Sequence, residues 1–156
     1  MRDQRLLDLR ERVALVTGAS GSFGAESARA LAGTGVKVIL ISREEARLRP
    51  LAEEMGDRAA IVEGDVSKRD EPDRIVDAAV AGHGRLDILV NAVGGATVGG
   101  LMDLDDETWQ ADLDLKLLGY LRLMRAAATV MRRQDREHRR VGRSRALPPA
   151  DLTQRG

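Results

Sequence analysis

Residues 12–24 read Arg-Val-Ala-Leu-Val-Thr-Gly-Ala-Ser-Gly-Ser-Phe-Gly, a short apolar run that breaks into a glycine-rich turn. The run 12–17 carries the β-branched residues Val13, Val16 and Thr17, which is the pattern of a buried strand. An alanine-rich stretch, 25–32, follows the turn, and Gly33 and Gly35 close it as glycines close a helix. Glycine lets the turn come close to a ligand, and the helix beyond it offers unpaired N–H groups and a positive dipole end. That arrangement suits a pyrophosphate. A glycine pattern alone is weak, but here the flanking strand and helix supply the context that the chemistry needs. A tight turn with no ligand is the lesser alternative. No Gly-Lys-Ser/Thr follows, so the turn is not a P-loop.

Working outward, strand and helix patterns alternate with short connections. Residues 36–41 (VKVILI) give a second strand, 59–62 (AAIV) a third and 86–90 (LDILV) a fourth. Between them Leu48, Leu51, Ala52 and Met55 recur at helical spacing, with Pro50 inside the pattern, where it should remove a backbone bond or kink the helix. A further helix is predicted over 72–81, ended by Gly82 and Gly84, and residues 91–100 form a glycine-rich loop. The last predicted helix spans 106–131, with Leu113, Leu117, Leu121, Met124, Ala128 and Met131 as one apolar stripe. This alternation predicts an α/β fold with a Rossmann-type doubly wound parallel sheet, incomplete at about four strands, a long C-terminal helix and a disordered tail. The predicted organisation is a partial dinucleotide-binding domain over 1–133 and a polar, arginine-rich tail over 134–156.

Composition narrows the function. The chain has 156 residues, 43% of them hydrophobic but only 2% aromatic, so one core built from Ala, Val, Leu and Ile is expected. There is no cysteine, and His83 and His138 lie far apart, so no metal site is expected. The formal charge is zero, which does not suit a nucleic-acid binder. No apolar run approaches the roughly 20 residues that span a bilayer, and the charged start lacks the apolar core of a secretory signal. A cytoplasmic protein with no membrane contact is the expectation.

The end of the second strand selects the dinucleotide. An acid there would bond the ribose of NAD, whereas this chain has Ser42-Arg43-Glu44. An arginine with no acid before it favours NADP, because guanidinium can pair with the 2′-phosphate through two parallel hydrogen bonds. NAD is the less favoured cofactor. The alternative for Arg43 is a solvated side chain in the first turn of a helix.

These residues resemble the short-chain dehydrogenase/reductase family, through about residue 133. The resemblance is carried by the turn from Thr17 to Gly24, by Asp65-Val66, by Asn91-Ala92-Val93-Gly94 after LDILV, and by WQADLDLKLLGYLRLMRAA from Trp109. It implies that Thr17, Gly18, Ser20, Gly21, Ser22, Phe23 and Gly24 form the phosphate-holding turn. It also implies that Asp65, with Val66, contacts adenine, and that Asn91, Ala92 and Gly94 flank the nicotinamide ribose. Asp65 could equally be a helix N-terminal acid, and Asn91 a residue satisfying loop backbone. Ser22 stands where the family usually has its middle glycine, which gives the Thr-Gly-x-x-Gly-x-x-Gly form of the extended members. Asn-Ala-Val-Gly replaces Asn-Asn-Ala-Gly, and Lys116 occupies the position of the family's structural asparagine. The long helix resembles the family's subunit-contact element, which implies a homo-oligomer through 106–131.

The resemblance implies hydride transfer between NADP(H) and a carbonyl or alcohol, with proton transfer by a tyrosine in Tyr-x-x-x-Lys. This chain does not supply that motif. Its one tyrosine, Tyr120, is followed four residues later by Met124, and its lysines are Lys37, Lys68 and Lys116. Lys116 lies four residues before Tyr120, a contact commonplace on helices. Ser144 has no strand around it, so no residue is assigned to catalysis. Residues 132–145 hold seven arginines against Asp135 and Glu137. An RNA-binding arm is one reading, but no aromatic residues interleave for stacking. Out-of-frame translation of a GC-rich gene is the favoured expectation. The reading that follows is an oxidoreductase of this family, inactive as this chain; the alternatives are a non-catalytic dinucleotide-binding or subunit-interaction module, or an unstable fragment.

Overall fold

The computed structural model describes residues 8–95 and 97–144. Four parallel strands, β1 (Val13–Thr17), β2 (Lys37–Ser42), β3 (Ala59–Glu63) and β4 (Ile88–Val90), form one sheet in the order β3-β2-β1-β4. Helices α1 (Ser22–Gly33), α2 (Arg49–Met55) and α3 (Glu71–His83) connect them. After β4 come α4 (Asp106–Leu113), a π-helical turn (Asp114–Gly119) and α5 (Tyr120–Ser144). The doubly wound parallel sheet read from the sequence is therefore observed.

Alternation along the strands sends side chains to two cores. Val13 and Leu15 of β1 pack with Ile39, Ile41, Ile75, Val76, Leu123 and Ala127, on the face covered by α3 and α5. Ala14 and Val16 point the other way, onto Ala28, Val38, Leu40, Leu48 and Leu51 under α1 and α2. Leu15 stands opposite Ile39 on one side and Leu89 on the other, both in parallel register. Burial on both faces explains why these strands read as continuous apolar runs.

Three expectations are corrected. Pro50 neither kinks nor breaks a helix, because α2 starts at Arg49 and Pro50 falls in its first turn, where N–H groups have no intrahelical partner. A short 3-10 turn, Glu45–Arg47, takes up the chain before it. The fourth strand is shorter than 86–90: the N–H and C=O of Leu86 are bonded by the side-chain amide of Gln134, at 3.0 and 3.2 Å. Among the described residues β4 pairs with β1 alone, so this amide occupies part of a sheet edge. Finally, residues 134–144, expected in a disordered tail, belong to α5. Arg, Gln and Glu favour helix even without an apolar stripe, and Arg139 bonds Asp135 one turn back at 3.0 Å. The remainder of that tail, 145–156, lies outside the described residues.

The long helix has two apolar faces rather than one. Leu123, Ala126 and Ala127 are buried against the sheet, whereas Leu113, Leu117, Leu121 and Met124 are 43–51% exposed. The π turn lies inside this helix, where Gly119 packs against the chain at Val66. A β-carbon on Gly119 would stand 2.7 Å from the carbonyl oxygen of Val66. No helix among the described residues is long and apolar enough to cross a membrane.

Candidate functional site

All four strands run the same way, so their carboxyl ends share one edge of the sheet. The connections leaving that edge enclose a cleft of about 260 Å³. It opens where the strand order reverses, since β1 leads outward to β2 and β3 on one side while β4 lies on the other. Ligands of open α/β sheets bind at such a switch point. The lining comes from every strand end: Gly18, Ser20 and Gly21 after β1, Ser42 at the end of β2 with Arg43 and Arg47 beyond it, Asp65 and Val66 after β3, and Ala92 and Gly94 after β4.

The turn after β1 is shaped by close backbone approach. Gly18 has φ +62°, and a β-carbon there would lie 2.5 Å from the oxygen of Ala92. Gly24 is buried one helical turn on, and a β-carbon there would meet the Gly18 oxygen at 2.2 Å. Both positions therefore require glycine. The Gly21 N–H closes the turn on the Gly18 carbonyl at 2.9 Å. Gly21 caps α1 with extended backbone, and no side chain among the described residues caps the N–H groups of its first turn. No acid occupies that turn either, so the positive helix end stays available for an anion.

The expected site residues divide into those facing the cleft and those supporting it. Gly18, Ser20, Gly21, Arg43, Asp65, Val66, Ala92 and Gly94 line it. Thr17, Ser22, Phe23, Gly24 and Asn91 are not among its lining residues. Thr17 is fully buried, and its hydroxyl donates to the Val90 carbonyl at 3.3 Å and accepts from the Ala92 N–H at 3.2 Å. It ties the end of β1 to the end of β4. Ser22 is exposed in the first turn of α1, so replacing a glycine there introduces no crowding. Phe23 is 87% exposed beside it. The carboxamide oxygen of Asn91 is buried with no hydrogen-bond partner among the described residues.

Asp65 has a local task as well. Its Oδ1 accepts from the Ser67 N–H at 3.0 Å and the Ser67 hydroxyl at 2.7 Å, which folds the chain out of β3. Arg47 was not anticipated as a site residue. The 3-10 turn Glu45–Arg47 returns it to the cleft, and only its spacing of four from Arg43 could have signalled this. Both guanidiniums are exposed, and neither makes an ion pair among the described residues. Glu44 and Asp65 are the acids among the lining residues.

The remaining polar cluster lies on the long helix. Tyr120 donates its hydroxyl to the Val93 carbonyl. Burial raises its pKa above the ordinary tyrosine value, and the nearby Lys116 ammonium only partly opposes that. Lys116 itself bonds Asp112 at 2.8 Å. Among the described residues, no group of three or more His, Cys, Asp or Glu could hold a metal ion.

Comparison with known proteins agrees with this geometry. The short chain dehydrogenase family profile matches residues 12–140. An uncharacterized oxidoreductase of Staphylococcus saprophyticus is 36% identical over 137 residues, covering 85% of this chain and 58% of that protein. One from Staphylococcus epidermidis is 30% identical, covering 83% and 56%. A short-chain type dehydrogenase/reductase from Mycobacterium ulcerans superposes with a TM-score of 0.75 at 30% identity, covering 81% of this chain and 49% of that one. This chain thus spans about half the length of the relatives it matches. With the parallel sheet, the glycine turn and the profile all in agreement over the same residues, the chain belongs to the short-chain dehydrogenase/reductase family.

Proposed function

We propose that this chain binds a nicotinamide dinucleotide in the switch-point cleft, NADP(H) in preference to NAD(H), and does not by itself complete the family's redox reaction. The observation that carries the reading is the convergence of four strand-end connections on one cleft, with a glycine turn against an uncapped helix at its floor. Bound there, the dinucleotide would supply or accept a hydride. The backbone of Ser20 to Gly24 would hold its pyrophosphate, with Thr17 and Gly24 fixing that backbone from below. Asp65 and Val66 would border the adenine, and Asn91, Ala92 and Gly94 the nicotinamide ribose. Arg43 and Arg47 place two guanidiniums on the cleft lining, whose acids are Glu44 and Asp65, and their bidentate donors favour the extra phosphate of NADP.

The catalytic half of the reading rests on Tyr120. A proton donor must reach substrate and release its proton near neutral pH. The hydroxyl of Tyr120 is committed to Val93, its pKa is raised by burial, and the Lys116 ammonium is committed to Asp112.

Titration with NADPH and NADH, followed by nucleotide fluorescence or calorimetry, tests both parts. NADPH should bind about tenfold more tightly than NADH, the size of one charge-assisted contact at an exposed site. Arg43→Ala should erase most of that difference while leaving NADH little changed. Absence of saturable binding for either nucleotide sinks the cofactor reading, and clear carbonyl reduction sinks the catalytic one.

A second reading concerns assembly. Leu113, Leu117, Leu121 and Met124 present a continuous apolar stripe to solvent, together with Trp109 at 41% exposure. Monomers rarely leave such a face bare, and a second copy would cover it by twofold pairing of the same helix. Sedimentation should show a dimer or larger assembly that Leu117→Glu/Leu121→Glu converts to monomer. A wild-type monomer at high micromolar concentration would overturn this.

A further inference from the structure

The wall of the cleft after β4 begins at Val93, which packs against the core, and continues into two glycines that carry no side chain to anchor them. Val93, Gly94 and Gly95 all line the cleft, yet a β-carbon on Gly94 or Gly95 would meet no atom of the described residues within 4 Å. Side-chain packing therefore does not set the position of the two glycines, and glycine loses the most conformational entropy when it is ordered. Something else must fix this wall.

The long helix supplies two ties, one on each side of the glycine pair. Tyr120 donates to the carbonyl of Val93. Asp112 accepts the hydroxyl of Thr97 on Oδ1 at 2.7 Å, while its Oδ2 accepts the Lys116 ammonium at 2.8 Å. The Lys116 bond, with the Thr97 bond after it, holds the Asp112 carboxyl below its ordinary pKa, so it stays ionised as an acceptor. Asp112, Lys116 and Tyr120 are spaced four apart, which brings them to one side of the helix. Leu115, in the π turn between them, also lines the cleft.

We propose that Asp112, Lys116 and Tyr120 are positioning residues, which hold the Val93–Gly94–Gly95 wall of the cofactor cleft in its binding shape through the bonds to Val93 and Thr97. This rests on the reading that the cleft takes a nicotinamide dinucleotide. It gives the Lys116–Tyr120 pair a role without proton transfer. The entropy of ordering two glycines is then lost on folding rather than on binding, so a dinucleotide meets a preformed wall. Loosening either tie lowers the fraction of binding-competent protein and weakens apparent affinity by the same factor.

The test joins two measurements on the full chain. Hydrogen exchange at the Gly94 and Gly95 amides in nucleotide-free protein reads the ties, and NADPH titration reads their consequence. Tyr120→Phe removes only a hydroxyl, and Thr97→Val replaces one with a methyl. Each should speed exchange at both glycines by about threefold to tenfold, the worth of one net hydrogen bond, and weaken NADPH binding by a similar factor. Thr97→Ser keeps the donor and should restore both readouts, an outcome that general destabilisation would not give. Thermal melts of each variant confirm that the fold persists. Unchanged exchange in both loss variants overturns the ties. Faster exchange with unchanged affinity, where the parent protein binds NADPH, overturns the positioning role alone. If the parent binds neither nucleotide, the cofactor reading fails and this role fails with it.

Discussion

Gly18→Ala is expected to cost more than about 3 kcal/mol of stability and to abolish dinucleotide binding in whatever folded protein remains. Two effects add. The φ of +62° places an alanine in the left-handed region, which costs roughly 1–2 kcal/mol before any contact is considered. Its β-carbon would then sit 2.5 Å from the oxygen and 2.7 Å from the carbon of Ala92, both backbone atoms that no rotamer change can move away. Relief requires separating the ends of β1 and β4, which breaks the hydroxyl bridge that Thr17 makes between Val90 and Ala92. Urea denaturation with a parallel NADPH titration measures both losses. Gly33→Ala is the control, because that glycine ends α1 with open space around it and no positive φ. It should be neutral, or stabilising by up to about 1 kcal/mol through helix propensity. If the two variants melt alike, close approach at Gly18 is not what shapes the turn.

The parts of this fold that were legible in the sequence are those governed by short-range periodicity. Val13, Leu15, Ile39 and Ile41 are buried on one face, and Ala14, Val16, Val38 and Leu40 on the other, because every strand of a doubly covered sheet must be apolar throughout. The cleft was legible because Gly18, Arg43, Asp65 and Ala92 each follow a strand, and parallel strands bring those ends together whatever the loops contain. Spacing along one helix could not reveal which neighbour each face meets. Leu113, Leu117 and Leu121 formed the clearest stripe in the sequence, yet they face outward, while the less conspicuous Leu123, Ala126 and Ala127 meet the sheet. A π turn between the two sets adds a register change that no hydropathy pattern announces. Arg47 was missed for a similar reason, since a 3-10 turn of three residues redirects it. The helical stretch 134–144 looked like tail because Val141 is its one apolar residue. Its tether is the Gln134 amide on Leu86, a contact across 48 residues that no local window contains.

Asp87→Ala is the second substitution expected to have a large effect, at about 2–4 kcal/mol, although it lies at the opposite end of the sheet from the cleft. One carboxylate there joins three partners. Oδ2 accepts from the Val13 N–H at 2.9 Å and from Arg85 at 2.7 Å, and Oδ1 accepts from Arg12 at 3.0 Å and again from Arg85 at 2.6 Å. The backbone joins in, with the Asp87 N–H donating to the Val13 carbonyl at 2.9 Å. Alanine would leave the N–H of Val13, a residue 2% exposed, without its partner where β1 enters the core. The Arg12 pair is half exposed and adds little by itself, so most of the cost lies in that N–H and in Arg85. The group also carries a pH signature. Burial pushes the Asp87 pKa up, but the bonds from Arg85, Val13 and Arg12 outweigh it and hold it below the ordinary aspartate value. A carboxyl with a folded pKa below its unfolded one binds more protons when unfolded, so its stabilisation is complete above the unfolded pKa, near 3.9. That stabilisation disappears as pH falls through the folded value. The stability difference between parent and Asp87→Ala should thus be constant from about pH 7 to 5 and shrink below about pH 4, a window set by that depressed pKa. Thermal or urea melts of the two proteins across that range isolate Asp87, because every other carboxylate cancels in the difference. A gap that persists undiminished at pH 3 would show that the lost stability came from packing rather than from this charge.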